Sequence, residues 1–272
     1  MKRRQFIQNA TLASGALMAS PLLAGTKDTV RRTYSLEDLH VHTTDKFSIE
    51  NIVEVGQQKN IRFGVVDHPE WAFQGDEELR KWVENLRKYP VYVGLQPMTI
   101  GWSKKFSPDA LALVDYVLMD PQMFEKGNTY GDRMLLWNLD TYVDDEELFM
   151  EKYVERSLEV INNPEPLDVF GWPLFLPPCI APEYYRLWTE ERMLRIIDAA
   201  KKNEVAIEIN DLAHTPHEKF IRMAKEQGLK FTFGSDTRNE KTGRLDYCKR
   251  IADTCKLEES DFFRPTSPFH QA

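Results

Sequence analysis

An alternation restricts the fold more than any other feature of the chain. From residue 36 onward, seven short apolar runs of strand length each lead into a stretch with helical spacing. Strands linked through helices pair in parallel, because a parallel neighbour is reached only by a crossover long enough to hold a helix. The strand-like runs are Asp38–His42, Ile61–Val66, Val91–Leu95, Asp115–Met119, Asp168–Gly171, Val205–Ile209 and Lys230–Gly234. The helical stretches are Ser48–Lys59, Asp76–Lys88, Pro108–Val114, Asp144–Ile161, Thr189–Lys202, Pro216–Gln227 and Gly243–Cys255. Ser48 suits an N-cap, Pro216 a first helical turn, and Gly228 a stop. Residues 120–143 follow neither period. No repeat or low-complexity linker interrupts the chain after residue 25, so a single domain over 26–272 is expected. The alternation admits an open sheet or a closed barrel. No glycine-rich phosphate loop follows the first strand, which argues against a nucleotide fold.

The first 25 residues read differently. Lys2, Arg3 and Arg4 precede an apolar run from Ala10 to Leu23, with small residues around Ala19–Gly25. That is the architecture of an export signal, and the run is too short to span a bilayer. Arg3, Arg4, Gln5, Phe6 and Ile7 resemble a twin-arginine signal, which implies a periplasmic destination. No cysteine follows for a lipid, so no stable membrane anchor is expected. The formal net charge is −8, and residues 1–25 hold bases but no acids, so the remainder is more acidic still. An acidic body lacks the basic surface that nucleic-acid binding requires. The cysteines are Cys179, Cys248 and Cys255, without a CxxC. Neither a disulfide framework nor a thiolate zinc site is indicated.

Chemistry collects where the strands end, which in parallel α/β folds is the functional rim. In a strand, residues two apart point to one face, so His40 and His42 in DLHVHT present two imidazoles to one cation. Asp236 and His68, at the ends of other strands, are candidates for a third ligand. Imidazole with carboxylate suits zinc, manganese or iron.

The motifs DLHVHT, VVDH, DVFGWP, EIN and FTFGSD, in that order over residues 36–240, resemble those of the PHP (polymerase and histidinol phosphatase) superfamily. The resemblance implies a distorted seven-stranded (β/α)7 barrel, metal-dependent phosphoesterase activity and a cluster of up to three metal ions. His40, His42, His68 and Asp236 match its ligands. Other positions depart from it. Gln96 stands for a bridging glutamate, Gln122 falls near an expected histidine, Trp172 replaces the histidine of GHP, and Arg238 that of GSDAH. Asp45 is the nearest polar residue to a further histidine that is missing. A neutral amide cannot hold two cations together, and arginine adds positive charge. A mononuclear site of His40, His42 and Asp236 is therefore expected, completed by Gln96 or water, with His68 as ligand or supporting group.

Two functions follow. One is an exported, metal-dependent hydrolase of a small-molecule substrate, in which Arg238 stabilises an anion and Asp67, Glu70 or His214 move protons. The other is an inactive binding module for a sugar or phosphorylated metabolite, with Trp71, Trp102 or Trp172 as stacking faces. His217 is expected to face solvent, and His270 to have no role.

Overall fold

The computed structural model describes residues 33–125 and 133–266. The export-signal segment and His270 lie outside the described residues. The strands β1 (Glu37–Val41), β2 (Arg62–Asp67), β3 (Tyr92–Leu95), β4 (Tyr116–Met119), β7 (Val169–Phe170), β8 (Ala206–Asn210) and β9 (Phe231–Gly234) form one parallel sheet in that order. The sheet curls until its ends meet. Beyond β9, Thr237 bridges Val41 of β1 in parallel, and the His42 amide donates to the Thr237 carbonyl at 3.1 Å. Of the two architectures the alternation admits, the nearly closed barrel is the one formed.

The two faces of the strands divide the core. Val65, Val93, Val117, Phe170 and Ile207 pack outward with the helices, while their neighbours Val66, Tyr92, Leu118, Val169 and Ala206 form a separate cluster with Leu39 and Tyr116 inside the barrel. Tyr116 spans this interior and donates to the Leu39 carbonyl at 2.6 Å. Gly64 and Gly94 make room for its ring, since a Cβ on either would collide with it. The apolar plug closes the barrel below the C-terminal rim, so polar groups above it are shielded from water on one side.

Outside lie α1 (Ile49–Lys59), α2 (Pro69–Ala72), α3 (Asp76–Leu86), α4 (Pro108–Leu111), α5 (Glu146–Asn162), α6 (Tyr184–Leu187), α7 (Glu190–Lys202), α8 (Glu218–Glu226) and α9 (Asp246–Thr254). Their first turns show why they start where they do. Ser107, Asp145 and Thr189 accept from the amides three residues on, satisfying donors that a helix end leaves open.

The differences from expectation have local causes. Residues 120–143 contain an antiparallel pair, β5 (Met123–Glu125) with β6 (Arg133–Leu135), whose three-residue strands are too short to show a period. Pro216 is not in the first turn of α8, which starts at Glu218 with His217 as its N-cap residue. The helix expected at Pro108–Val114 stops at Leu111.

Gly94→Ala forces a methyl into the Tyr116 ring and is expected to destabilise the barrel by about 2–3 kcal/mol, the usual cost of overpacking a core. Urea unfolding measures it; stability within experimental error of wild type would show that the Tyr116 plug is not tight.

Candidate functional site

The site begins with an irregularity in β1. Asp38 pairs with Phe63 of β2, but Val41 pairs with Val65, so β1 carries one residue more than its neighbour. This bulge lets two consecutive residues serve the interior. Leu39 joins the apolar plug, and the His40 ring reaches Glu208, two residues beyond Ala206 of the same plug. Beyond the bulge His42 follows His40 at the strand period.

The last strand delivers the carboxylate. Asp38 is fully buried and accepts from the Ser235 amide at 2.9 Å and the Ser235 hydroxyl at 2.5 Å. That contact locks β9 beside β1 and fixes the next residue, Asp236. Its Oδ1 lies 3.5 Å from His40 Nε2 and 3.5 Å from His42 Nε2. The three residues each offer a ligand atom, all within 4.8 Å of one another.

Two features fit this triad to a cation. Both Nε2 atoms are buried without a hydrogen-bond partner among the described residues. A tetrahedral zinc with bonds of about 2.0–2.2 Å separates its ligands by roughly 3.4 Å, close to both His–Asp distances here. His40 is also oriented from behind: its Nδ1 lies 2.6 Å from Glu208 Oε1. A carboxylate in that position sets which ring nitrogen is free, as it does behind metal-bound histidines generally. Glu208 Oε2 in turn accepts from the Trp172 amide at 2.7 Å and the Asn210 side chain at 3.1 Å. Gly234 is required here, because a Cβ would run into Glu208 and His40.

Positive charge already surrounds the carboxylate. Arg238 Nη1 donates to Asp236 Oδ1 at 2.7 Å, and Trp172 Nε1 donates to Oδ2 at 3.0 Å. Trp172 and Asp236 both hold left-handed backbone, φ 42 and 45, a conformation that costs on the order of 1–3 kcal/mol and clusters at functional sites. Burial pulls His40 toward its neutral form, but Asp236 and Glu208 outweigh it and push its pKa up to about 9. Burial pulls His42 down to about 4. Burial alone would raise Asp236, but His40, His42 and Arg238 hold it below the ordinary carboxylate range. Burial pushes Asp120 up to about 6.

The other expected site residues divide. His68 is not part of the triad; its ring stacks on His42 at 5.1 Å, and its Nδ1 lies 2.9 Å from the Gln96 carbonyl. Trp71 packs on His68 at 4.9 Å and is 61% exposed. Gln96 is buried, and its amide donates to Asp120 Oδ2 at 3.1 Å. Asp67, half-buried, accepts from the His68 amide. Glu70 Oε1 is committed to the Met98 and Thr99 amides at 2.7 and 2.9 Å. His214 stacks on Tyr247 and lines a cavity of about 490 Å³ whose walls include Ser235 and Thr237 but none of the triad. Asp45 is exposed within the small loop in which Thr44 and Phe47 pair and is not part of the triad. Trp102 is buried. His217 does not face open solvent; it is half-buried and stacks on Tyr184 at 3.7 Å. Glu208, the first residue of the EIN motif, has no role assigned from sequence. A charge between Ile207 and Ile209 on a buried strand was the available signal.

No protein-family model matches the chain, and no curated protein does. Among solved structures it is similar to histidinol phosphate phosphatase from Lactococcus lactis subsp. lactis Il1403, determined with zinc, L-histidinol and phosphate. That likeness has a TM-score of 0.55 and 15% identity, over 86% of this chain and 97% of that one. A chain of archaeal ribonuclease P with mature tRNA gives a TM-score of 0.44 at 12% identity, over 82% and 83%. An HpcH/HpaI aldolase from Desulfitobacterium hafniense DCB-2 gives 0.35 at 12%, over 81% and 93%. The phosphatase likeness establishes a shared fold; the other two carry no argument.

In metal-free protein His40 holds its proton more tightly folded than unfolded. Its contribution to stability is complete below the ordinary histidine pKa of 6.5 and is lost as pH rises through about 9. The melting temperature of chelator-treated protein is therefore expected to fall between about pH 7 and pH 9.5, and Glu208→Gln to flatten that fall. Differential scanning calorimetry across this range would refute the assignment if both proteins gave the same profile.

Proposed function

We propose that this chain is a divergent member of the PHP superfamily, acting as an exported, metal-dependent phosphoesterase with a single-ion site. The observation that carries the reading is the pair of buried Nε2 atoms that converge on Asp236 Oδ1 at 3.5 Å and have no hydrogen bond among the described residues. The phosphatase with the same fold, solved with zinc and phosphate, supports it. The twin-arginine-like start of the chain supports export, which predicts a shortened form in the periplasmic fraction.

His40, His42 and Asp236 would hold the ion, and Glu208 would keep His40 in the tautomer that leaves Nε2 free. A divalent ion bound there supplies an acidified water and polarises a phosphoryl oxygen. Arg238 is bound through Nη1 alone among the described residues, and its side chain is 43% exposed, so its remaining donors receive the phosphoryl anion. His68 and Asp67, adjacent at the end of β2, are the groups available to move a proton at the rim. Glu70 positions the loop after β3 rather than reacting.

A second reading has one observation in its favour. Both oxygens of Asp236 already accept hydrogen bonds, from Arg238 and Trp172, as in a site that has exchanged its ions for protein donors. Such a barrel would bind a phosphorylated small molecule without turning it over.

Protein purified without chelator is expected to carry about one divalent ion per chain by elemental analysis, and His42→Ala to lose it with hydrolysis of p-nitrophenyl phosphate. Equal, near-zero metal in both proteins would sink the first reading; metal without turnover would favour the second. Arg238→Met removes a like charge from the ion's neighbourhood. It is expected to tighten zinc binding about tenfold in a competition titration while raising KM for the phosphoester. Weaker zinc binding would mean that Arg238 only braces Asp236.

A further inference from the structure

The rim beyond β3 and β4 carries buried polar atoms without a hydrogen-bond partner among the described residues. Gln96, Asp120 and Gln122 are all buried. Asp120 gathers the other two: its Oδ2 accepts from Gln96 Nε2 at 3.1 Å, and its Oδ1 from the Gln122 backbone amide at 3.1 Å. Gln96 Oε1 and both side-chain polar atoms of Gln122 then remain buried without a hydrogen-bond partner among the described residues. Folded proteins pair nearly all such groups, so several in one cluster mark a place where a polar ligand belongs.

The chemistry of the cluster selects that ligand. A carboxamide is neutral and offers a donor and an acceptor side by side. It has no charge to attract a cation, and the Asp120 carboxylate beside it repels an anion. A hydroxyl group, which both donates and accepts, matches it. The cluster is also continuous with the triad and with an exposed aromatic face. The Gln96 carbonyl lies 2.9 Å from His68 Nδ1, and the His68 ring stacks on His42 at 5.1 Å and packs on Trp71 at 4.9 Å. Trp71 is 61% exposed at the edge of this polar site. An indole in that setting offers an apolar face to the C–H side of a sugar.

Resting on the phosphoesterase reading of the triad, we propose that Gln96, Asp120 and Gln122 form a subsite for the hydroxyl groups of a sugar or polyol phosphate, with Trp71 covering its carbon skeleton. The triad and Arg238 then take the phosphoryl end, and the carboxamides select substrates that carry hydroxyls near it.

The test uses zinc-loaded full-length protein and calorimetric titration with glucose 6-phosphate, ribose 5-phosphate, glycerol 3-phosphate and inorganic phosphate. At least one of the three esters is expected to bind about tenfold more tightly than inorganic phosphate. In Gln96→Leu/Gln122→Leu that advantage falls to about twofold or less. Trp71→Ala, a change at an exposed position, reduces it independently of any effect on core folding. The proposal is overturned if no ester exceeds inorganic phosphate by about twofold and no free sugar perturbs tryptophan emission. It is also overturned if the advantage survives in both variants. Failure of the phosphoesterase reading alone looks different: phosphate and its esters do not bind, while glucose, ribose or glycerol still perturbs tryptophan emission in wild type and not in Trp71→Ala. That outcome supports the hydroxyl subsite.

Discussion

The seam between the first and last strands of the barrel is the contact on which the site depends. Asp38, fully buried, satisfies both its oxygens on Ser235 and neighbouring backbone. The His42 amide and the Thr237 carbonyl extend the same seam by one more bond. Residues nearly two hundred positions apart are thereby held in register, and Asp236 is fixed between His40 and His42. Without closure the two imidazoles and the carboxylate would sit at opposite edges of an open sheet.

Once closed, the rim becomes a balanced cluster of charges in a dry setting. Glu208 and Asp236 flank His40 from its two ring nitrogens, and Arg238 answers the charge on Asp236. Each carboxylate is thus paired or hydrogen-bonded, as burial of charge requires. The apolar plug of Leu39, Tyr116 and their neighbours keeps water from the lower side.

Three of the positions that differ from the motifs the chain resembles, Gln96, Gln122 and Trp172, follow β3, β4 and β7, while Arg238 follows β9. His40, His42, Asp236 and the EIN and GSD segments lie along or just beyond β1, β8 and β9. Gln96 and Gln122 lie at the ends of β3 and β4, where they present neutral amides. Trp172 stands between, its indole N–H donating to the Asp236 carboxylate. The rim is divided into a side suited to charge and a side suited to neutral hydrogen bonding.

The alternation of apolar runs and helical stretches was enough to determine the parallel strands, their order along the chain and the rim on which the chemistry would gather, because hydrophobic periodicity is local. The spacing of His40 and His42 likewise sufficed to put two imidazoles on one face. What the sequence left open depended on atoms far apart in the chain. Barrel closure came from Asp38 meeting Ser235. The bulge that turns both Leu39 and His40 inward came from pairing with β2. Glu208 behind His40, Arg238 and Trp172 on Asp236, and His214 beside a different cavity follow from which rotamers and loops meet at the rim. Local periodicity carries no information about those meetings; packing and charge pairing across the closed barrel decide them.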